Sequence, residues 1–277
     1  MVNLKDPITG KRPLPQFGQF QIKYNDSNST FHALLASLQR SFTNGWLWQT
    51  QYIWSHTTAD GSVGTGETAQ IENASCRACD RSDANFDVRH SLTMNSVYQL
   101  PIGPGRGHWN AKGLAGELIG GWQLSGILSA RTGLPVNITV TRKAADMLDG
   151  NSRNQRPDLV PGVPIYAADQ TITNWFNPAA FAVPAKGTWG NLGRNVARGP
   201  GFWEIDGALE KVTPVGQKTN LKFRVEAFNV FNHPIFANPT SNISAASSFG
   251  RITSVLNPGA VGTGTPRRLQ LMARVEF

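Results

Sequence analysis

Arg267-Arg268-Leu269-Gln270-Leu271-Met272-Ala273-Arg274-Val275-Glu276-Phe277 is the stretch whose reading decides the fold. Leu269, Leu271, Ala273, Val275 and Phe277 are apolar. Arg268, Gln270, Arg274 and Glu276 between them are polar, and Met272 is the one soft exception. Successive side chains of a strand point to opposite faces. One face of this strand is therefore wholly apolar and the other strongly charged, and its last residue is aromatic. A soluble β-sandwich tolerates such a strand. A barrel wall between lipid and a polar lumen requires it.

Working back from this stretch, strand-like runs recur between turn residues. Eight are predicted: Phe17–Asn25, Thr30–Phe42, Trp46–His56, Val88–Leu100, Trp122–Val140, Trp203–Val212, Asn220–Phe231 and the final strand. Thr30–Phe42 also reads as a helix through Leu34, Ala36, Leu38 and Arg40. In the third run Trp46, Trp48, Tyr52 and Trp54 share one face, with Gln49, Gln51 and Ser55 on the other. In the seventh, Leu221, Phe223, Val225 and Ala227 oppose Lys222, Arg224 and Glu226. Pro135 is expected to interrupt the fifth run near its end. The predicted fold is all-β: an antiparallel up-and-down meander of about eight strands, open, with two unpaired edges.

The connections alternate in length. Thr43-Asn44-Gly45 and Pro214–Thr219 are tight, and 101–121 is a medium link. Segments 57–87, 141–202 and 232–266 are long and rich in Gly, Asn, Pro and Ser. Long irregular loops are uncommon in compact domains, and here all of them fall on one side of the meander. Outer-membrane barrels show the same asymmetry of short turns and long loops. Trp46, Trp122 and Trp203, at strand starts, suit interfacial girdles.

Composition agrees. The 277 residues include 28 Gly and 17 Pro, which fits a turn-rich β protein, and only 16% are charged, against ~25% in ordinary soluble domains. Mean hydropathy is −0.28, and no apolar run approaches the ~18 residues of a membrane helix. Alternating strands dilute that signal, so a barrel is not excluded. The net charge of +8 raises the question of nucleic acid. Its basic residues alternate within strands or scatter through loops (Arg142, Lys143, Arg153, Arg156, Lys186, Arg194, Arg198), and no nucleic-acid partner is expected. Met1–Pro7 lacks the basic-then-apolar pattern of a secretory signal. The sequence therefore reads as cytoplasmic or as the tail of a longer chain.

Signals for chemistry are weak. Cys76-Arg-Ala-Cys79 has no second ligand pair for zinc, which leaves a local loop disulfide or two idle thiols. None of the five His residues has a His or Cys at i+2 to i+4. Asp87-Val88-Arg89-His90 hints at acid–base work but reads better as a strand start. Gly103-Pro104-Gly105-Arg106-Gly107 lacks the Gly-Lys-Ser/Thr ending of a phosphate loop. No enzyme activity, metal or cofactor is expected. One constellation has a physical role. Lys222, Arg224, Glu226, Arg268, Arg274 and Glu276, with Glu204 and Glu210, mix opposite charges on neighbouring strands. Cross-strand pairs are worth roughly 0.2–1 kcal/mol each, whereas Arg or Lys on the lipid face costs ~2–4 kcal/mol near the midplane. The charged face is therefore read as the lumen face, either as scaffolding or as substrate-path or plug contact.

Several segments resemble the C-terminal barrel portion of TonB-dependent outer-membrane receptors of the Oar-like branch. They include Ser29-Thr30-Phe31-His32-Ala33-Leu34, Gly120-Gly121-Trp122-Gln123-Leu124-Ser125-Gly126 and Thr132-Gly133-Leu134-Pro135. Further matches are Trp175-Phe176-Asn177-Pro178-Ala179-Ala180-Phe181, Gly190-Asn191-Leu192-Gly193-Arg194-Asn195, Arg198-Gly199-Pro200-Gly201 and Phe223–Pro234. The resemblance implies a β-barrel wall in the cell outer membrane of a Gram-negative bacterium. In that family the wall surrounds an N-terminal plug, and transport is driven through a periplasmic coupling box. Residues 1–277 contain neither plug nor box, so they are expected to be part of a longer receptor. The implied partners are outer-membrane lipid, the remaining barrel and plug, and the barrel-assembly machinery, which would read Leu269, Leu271, Ala273, Val275 and Phe277 as its signal. Two other readings compete: a soluble all-β carbohydrate-binding module, and a non-functional gene remnant.

Overall fold

The computed structural model describes residues 6, 9–17, 27–61, 72–73, 76–104, 113–147, 153–215, 218–256 and 266–277. Seven strands form one meander: β1 (Ser29–Thr43), β2 (Trp46–Ala59), β3 (His90–Gln99), β4 (Trp122–Arg131), β5 (Phe202–Pro214), β6 (Asn220–Phe228) and β7 (Arg268–Glu276). Each pairs antiparallel with the next. The two-residue strand Ser82–Asp83 extends the sheet beside the end of β2. Among the described residues β1 pairs only with β2 and β7 only with β6, so the sheet is open. The predicted first strand lies almost wholly outside the described residues. Its one described member, Phe17, closes a turn on Leu14.

The register sorts the wall into two faces. One cross-strand row runs Trp46–Tyr98–Leu124–Leu209–Val225–Leu271 across six strands. The next row over, on the opposite face, runs Gln99–Gln123–Glu210–Arg224–Met272. The apolar face is bare: Leu124 is 52% exposed and Leu271 78%. A sandwich would bury this face beneath a second sheet, and among the described residues no second sheet covers it. Thr30–Phe42 is strand throughout. Its partner β2 satisfies its backbone along almost the whole length, which overrides the helical spacing of its leucines.

Local chemistry fixes the short connections. Asn44 and Gly45 both take positive φ (53° and 78°), the two-residue type I′ turn that matches strand twist. Val215 closes the β5–β6 turn on the Thr219 carbonyl. The β3–β4 link contains a one-helix insert, α1 (Gly113–Ile119). Lys211 Nζ donates to the Glu117 and Gly120 carbonyls at its C-terminal end (2.7 and 2.6 Å), where a cation is favoured.

Two strand predictions need correction. The fifth run stops at Arg131, not Val140. Gly133 lies against the Gly199 carbonyl so closely that a Cβ would sit 1.8 Å from that oxygen, and the chain turns out of the wall there. Pro135–Val136 then pairs with Ala197–Arg198, and Val140–Arg142 with Arg153–Gln155. The seventh run stops at Phe228, because Asn229 and Asn232 adopt positive φ (50° and 51°).

The described parts of the long connections are not irregular. Segments 132–147, 153–201 and 229–256 fold together as a cap with its own core. Val136, Ile138, Phe176, Ala180, Phe181, Leu192, Ala197 and Phe249 are buried there. The Phe249 ring stands 5.9 Å from Phe176 and 5.5 Å, edge-on, from Phe181.

Candidate functional site

The wall supplies the first part of the site. The six residues assigned to the lumen face, Lys222, Arg224, Glu226, Arg268, Arg274 and Glu276, fall on the same side of β6 and β7. Arg224 Nε bonds Glu226 at 2.7 Å, and Arg224 Nη1 reaches Glu210 across the strand at 3.4 Å. Lys222 Nζ bonds Glu276 at 2.9 Å, and Arg274 reaches the same carboxylate at 3.5 Å. The register places Arg274 opposite Lys222, Glu276 opposite Asn220 and Arg224 opposite Met272. Glu276 screens the two cations that this register brings together. Leu269, Leu271, Ala273, Val275 and Phe277 project to the other side, with Phe277 fully exposed.

Two aromatic belts edge the apolar face. Trp46, Trp48, Tyr98 and Trp122 lie at the short-turn end, with the Lys211 ammonium 5.2 Å from the Trp122 ring centre. Tyr52, Trp54 and Trp203 lie toward the cap end. Trp203 therefore belongs to the belt opposite Trp46 and Trp122, because β5 runs antiparallel to β4. Trp46 and Trp54 are eight residues apart. That is about 27 Å along a strand, close to the ~25 Å apolar band of outer-membrane barrels.

The second part is the charged clasp that ties the first long loop to the cap. Cys76 and Cys79 are joined by a disulfide around the 3-10 turn Arg77–Asp80. That turn presents the Cys79 carbonyl and the Asp80 carboxylate to Arg156. Arg156 Nη1 donates to Asp80 Oδ1 at 2.6 Å and Nη2 to the Cys79 carbonyl at 3.3 Å, while Nε donates to the Leu192 carbonyl at 2.9 Å. Glu72 bonds the same guanidinium at 2.5 Å and accepts from the Arg156 backbone N–H. All three side chains are buried.

A second cluster lies beside it. Arg198 bonds both Asp83 and Asp87, Arg89 reaches both, and His56 Nε2 lies 2.8 Å from Asp83. Burial raises the Asp83 pKa, but the hydrogen bonds from His56 and Arg198 and the charges of Arg198 and Arg89 outweigh it. The net position is below the ordinary value. Arg194 donates to the Asp80 and Ala59 carbonyls. Burial draws its pKa down, as does the charge of Arg156, with Asp80 and Asp60 opposing.

Arg156, Arg194 and Arg198, read in sequence as scattered loop charges, are thus the cap's fasteners. The acidic partners of Arg156 and Arg198 lie 76 to 115 positions away, so no local pattern marks them. Asp87 and His90 do not meet. Asp87 is buried among arginines, whereas His90 Nδ1 lies 2.7 Å from the Tyr52 hydroxyl, on the apolar face. Among the described residues no three His, Cys, Asp or Glu side chains are grouped to hold a metal. Most of the Gly103–Gly107 motif lies outside the described residues.

A two-faced antiparallel wall, belted by aromatics and capped on one side, is what a membrane barrel is made of. The sequence matches the Outer membrane beta barrel domain over residues 3–270. The chain belongs to that family. No curated protein and no solved structure matches it. As an outer membrane β-barrel domain it resides in the outer membrane, and its strands are transmembrane strands. The barrel domain contains no helix long and apolar enough to cross a membrane among the described residues, and it needs none, since strands cross.

Proposed function

We propose that this barrel domain is part of the wall of a TonB-dependent receptor of the Oar-like branch, and that it works in transport rather than as an enzyme. One observation carries the reading. The wall is charged on one face and bare apolar on the other, and the described parts of all three long loops lie on the same side in one fastened cap. The apolar face meets outer-membrane lipid. The mixed charges of Lys222, Arg224, Glu226, Arg268, Arg274 and Glu276 line the lumen, where water and a plug meet them. The edges of β1 and β7 that are unpaired among the described residues take further strands of the same barrel.

Support for the receptor branch comes from where the resembling motifs fall. Thr132-Gly133-Leu134-Pro135 meets Arg198-Gly199-Pro200-Gly201 in space, with the Gly199 N–H donating to the Leu134 carbonyl at 3.0 Å. Trp175–Phe181 supplies Phe176, Ala180 and Phe181 to the cap core. These segments are joints of the cap, not surface decoration. No nucleic-acid partner enters this reading.

The test is to isolate the mature outer-membrane species with an antibody against residues 267–277 and to cross-link cells to TonB. The receptor reading expects a species much larger than the 30.1 kDa of this chain, cross-linked to TonB. A heat-modifiable species near that mass, with no cross-link, would replace the receptor with a small independent barrel.

A further inference from the structure

A cavity of about 630 Å³ opens at the cap end of the wall. Tyr52, His90, Leu92, Ala130, Trp203 and His233 line it. Register places the first five in the apolar-face rows. His233 comes from the cap segment after β6, so this segment folds down over the upper aromatic belt. Its placement is built rather than incidental. The Asn229 side chain, 2% exposed, accepts from the His233 N–H at 2.9 Å and donates to the His233 carbonyl at 2.8 Å. The imidazole lies 4.2 Å, centre to centre, from the Trp203 ring. Held this way, His233 Nδ1 is buried and has no hydrogen-bond partner among the described residues. An unpaired buried polar atom is costly. Across the cavity His90 is equally fixed, by the Tyr52 hydroxyl at Nδ1 and by its own N–H to Thr132 Oγ1 at 3.1 Å.

The lining thus combines apolar and aromatic walls with two anchored imidazoles, and no Asp or Glu lines it. Such a pocket suits an amphiphile with an acyl chain and an anionic, oxygen-rich head. Its position names the source. It opens in the membrane-facing side, at the level where the hydrocarbon ends on the cap side. We propose that it is a binding site for a phosphorylated glycolipid of the outer leaflet. An acyl chain packs along Leu92, Ala130 and Trp203, and a head-group phosphate oxygen accepts from His233 Nε2–H, the ring nitrogen other than the buried Nδ1. The His90–Tyr52 pair bonds a second head oxygen. This rests on the apolar face meeting lipid, but not on the receptor assignment.

The test uses the intact outer-membrane protein, purified in mild detergent and moved into nanodiscs of phosphatidylcholine doped with lipopolysaccharide. Bound lipid is counted by native mass spectrometry. His233→Phe keeps the ring on Trp203 and removes the nitrogen. Its retention of phosphorylated lipopolysaccharide falls about tenfold, the loss of one hydrogen bond to a charged group, while phosphatidylcholine retention is unchanged. Tyr52→Phe lowers it by a smaller factor. Dephosphorylated lipopolysaccharide binds the parent protein as weakly as phosphorylated lipid binds His233→Phe. Equal retention by parent and His233→Phe overturns the site. So does equal binding of phosphorylated and dephosphorylated lipid, or competition by millimolar inorganic phosphate alone, which would make it a soluble-anion pocket. Heat-modifiable gel mobility, checked for every variant, reports whether the wall inserts. Its loss in the parent would refute the membrane wall, a failure separate from that of the lipid site.

Discussion

Arg156 Nη1 donates to Asp80 Oδ1 at 2.6 Å, and both side chains are buried more than 75 residues apart in sequence. This bond, with Glu72 on the same guanidinium, joins the disulfide turn of the first long loop to the cap built by the other two. Removing one partner of a buried ion pair strands the other charge and costs ~3–5 kcal/mol. Arg156→Met is therefore expected to release the first loop, seen as rapid protease nicking within 60–89 on intact cells. Heat-modifiable mobility of the wall should be unchanged. Nicking at the parent rate would remove the clasp from the account.

Asp83 gives the clasp a pH dependence. Its folded pKa lies below its unfolded value, near 3.8, so its contribution is present above that range. It is lost as pH falls through the lowered folded value. Arg198 and Arg89 face it with positive charge, His56 Nε2 lies at hydrogen-bond distance, and Asp87 sits beside them. The loop should stay fastened from neutral pH down to about 4 and loosen only below that. Asp83→Asn should be loose already at neutral pH. Hydrogen exchange of the 82–90 amides against pH measures this, and loosening of the parent well above pH 4 would remove Asp83 as the group that sets it.

Neighbouring residues on β4 separate face from hydrophobicity. Ile127 and Leu128 are both apolar, but Leu128 lies in the apolar rows and Ile127 between Asn95 and Asp206. Leu128→Arg should cost ~2–4 kcal/mol of insertion, as an arginine near the midplane does. Ile127→Arg should insert at parent levels, since its face is wet. Folding into lipid vesicles, scored by heat-modifiable mobility, decides. Equal loss in both variants would mean that burial rather than lipid sets the tolerance.

What could be read in the sequence divides along the same line. The wall strands are nearly all legible because lipid and lumen impose a period of two on every one of them. Trp122, Leu124 and Leu128 opposite Gln123, Ser125 and Ser129 need no tertiary knowledge. The cap carries no such period. Its core gathers Val136, Phe176, Leu192 and Phe249 from loops far apart, so their spacing encodes nothing local. Val136, Ile138 and Val140 were the most misleading, since they continue the apolar character of β4 while belonging to the cap. Only the Gly133–Gly199 contact ends the strand, and that contact is long-range. The arginines of the clasp look like ordinary loop charges for the same reason. Motif resemblance was the one sequence signal that touched the cap, because those motifs are its joints.

The last strand carries a prediction about assembly. Phe277 is fully exposed at the end of the apolar row of β7, and the proposed reader of that row is the barrel-assembly machinery. In an intact receptor with this tail, deleting Phe277 should lower surface levels far more than Arg274→Gln. Arg274 makes only a 3.5 Å contact with Glu276 while 65% exposed, so its loss should be nearly silent. Protease accessibility on whole cells compares them. Equal levels would leave the strand with a wall role and no signal.

The central claim, that one face of this sheet meets lipid and the other water, is tested most directly by a nitroxide scan along β6. Both native cysteines are in a disulfide, so a single introduced cysteine at each of residues 221–227 takes the label alone. In the outer membrane, collision with oxygen should peak at 221, 223, 225 and 227. Collision with a water-soluble nickel chelate should peak at 222, 224 and 226. A strict period of two with opposite phases for the two probes is the predicted result. A flat profile, or both probes peaking at the same positions, would contradict the wall.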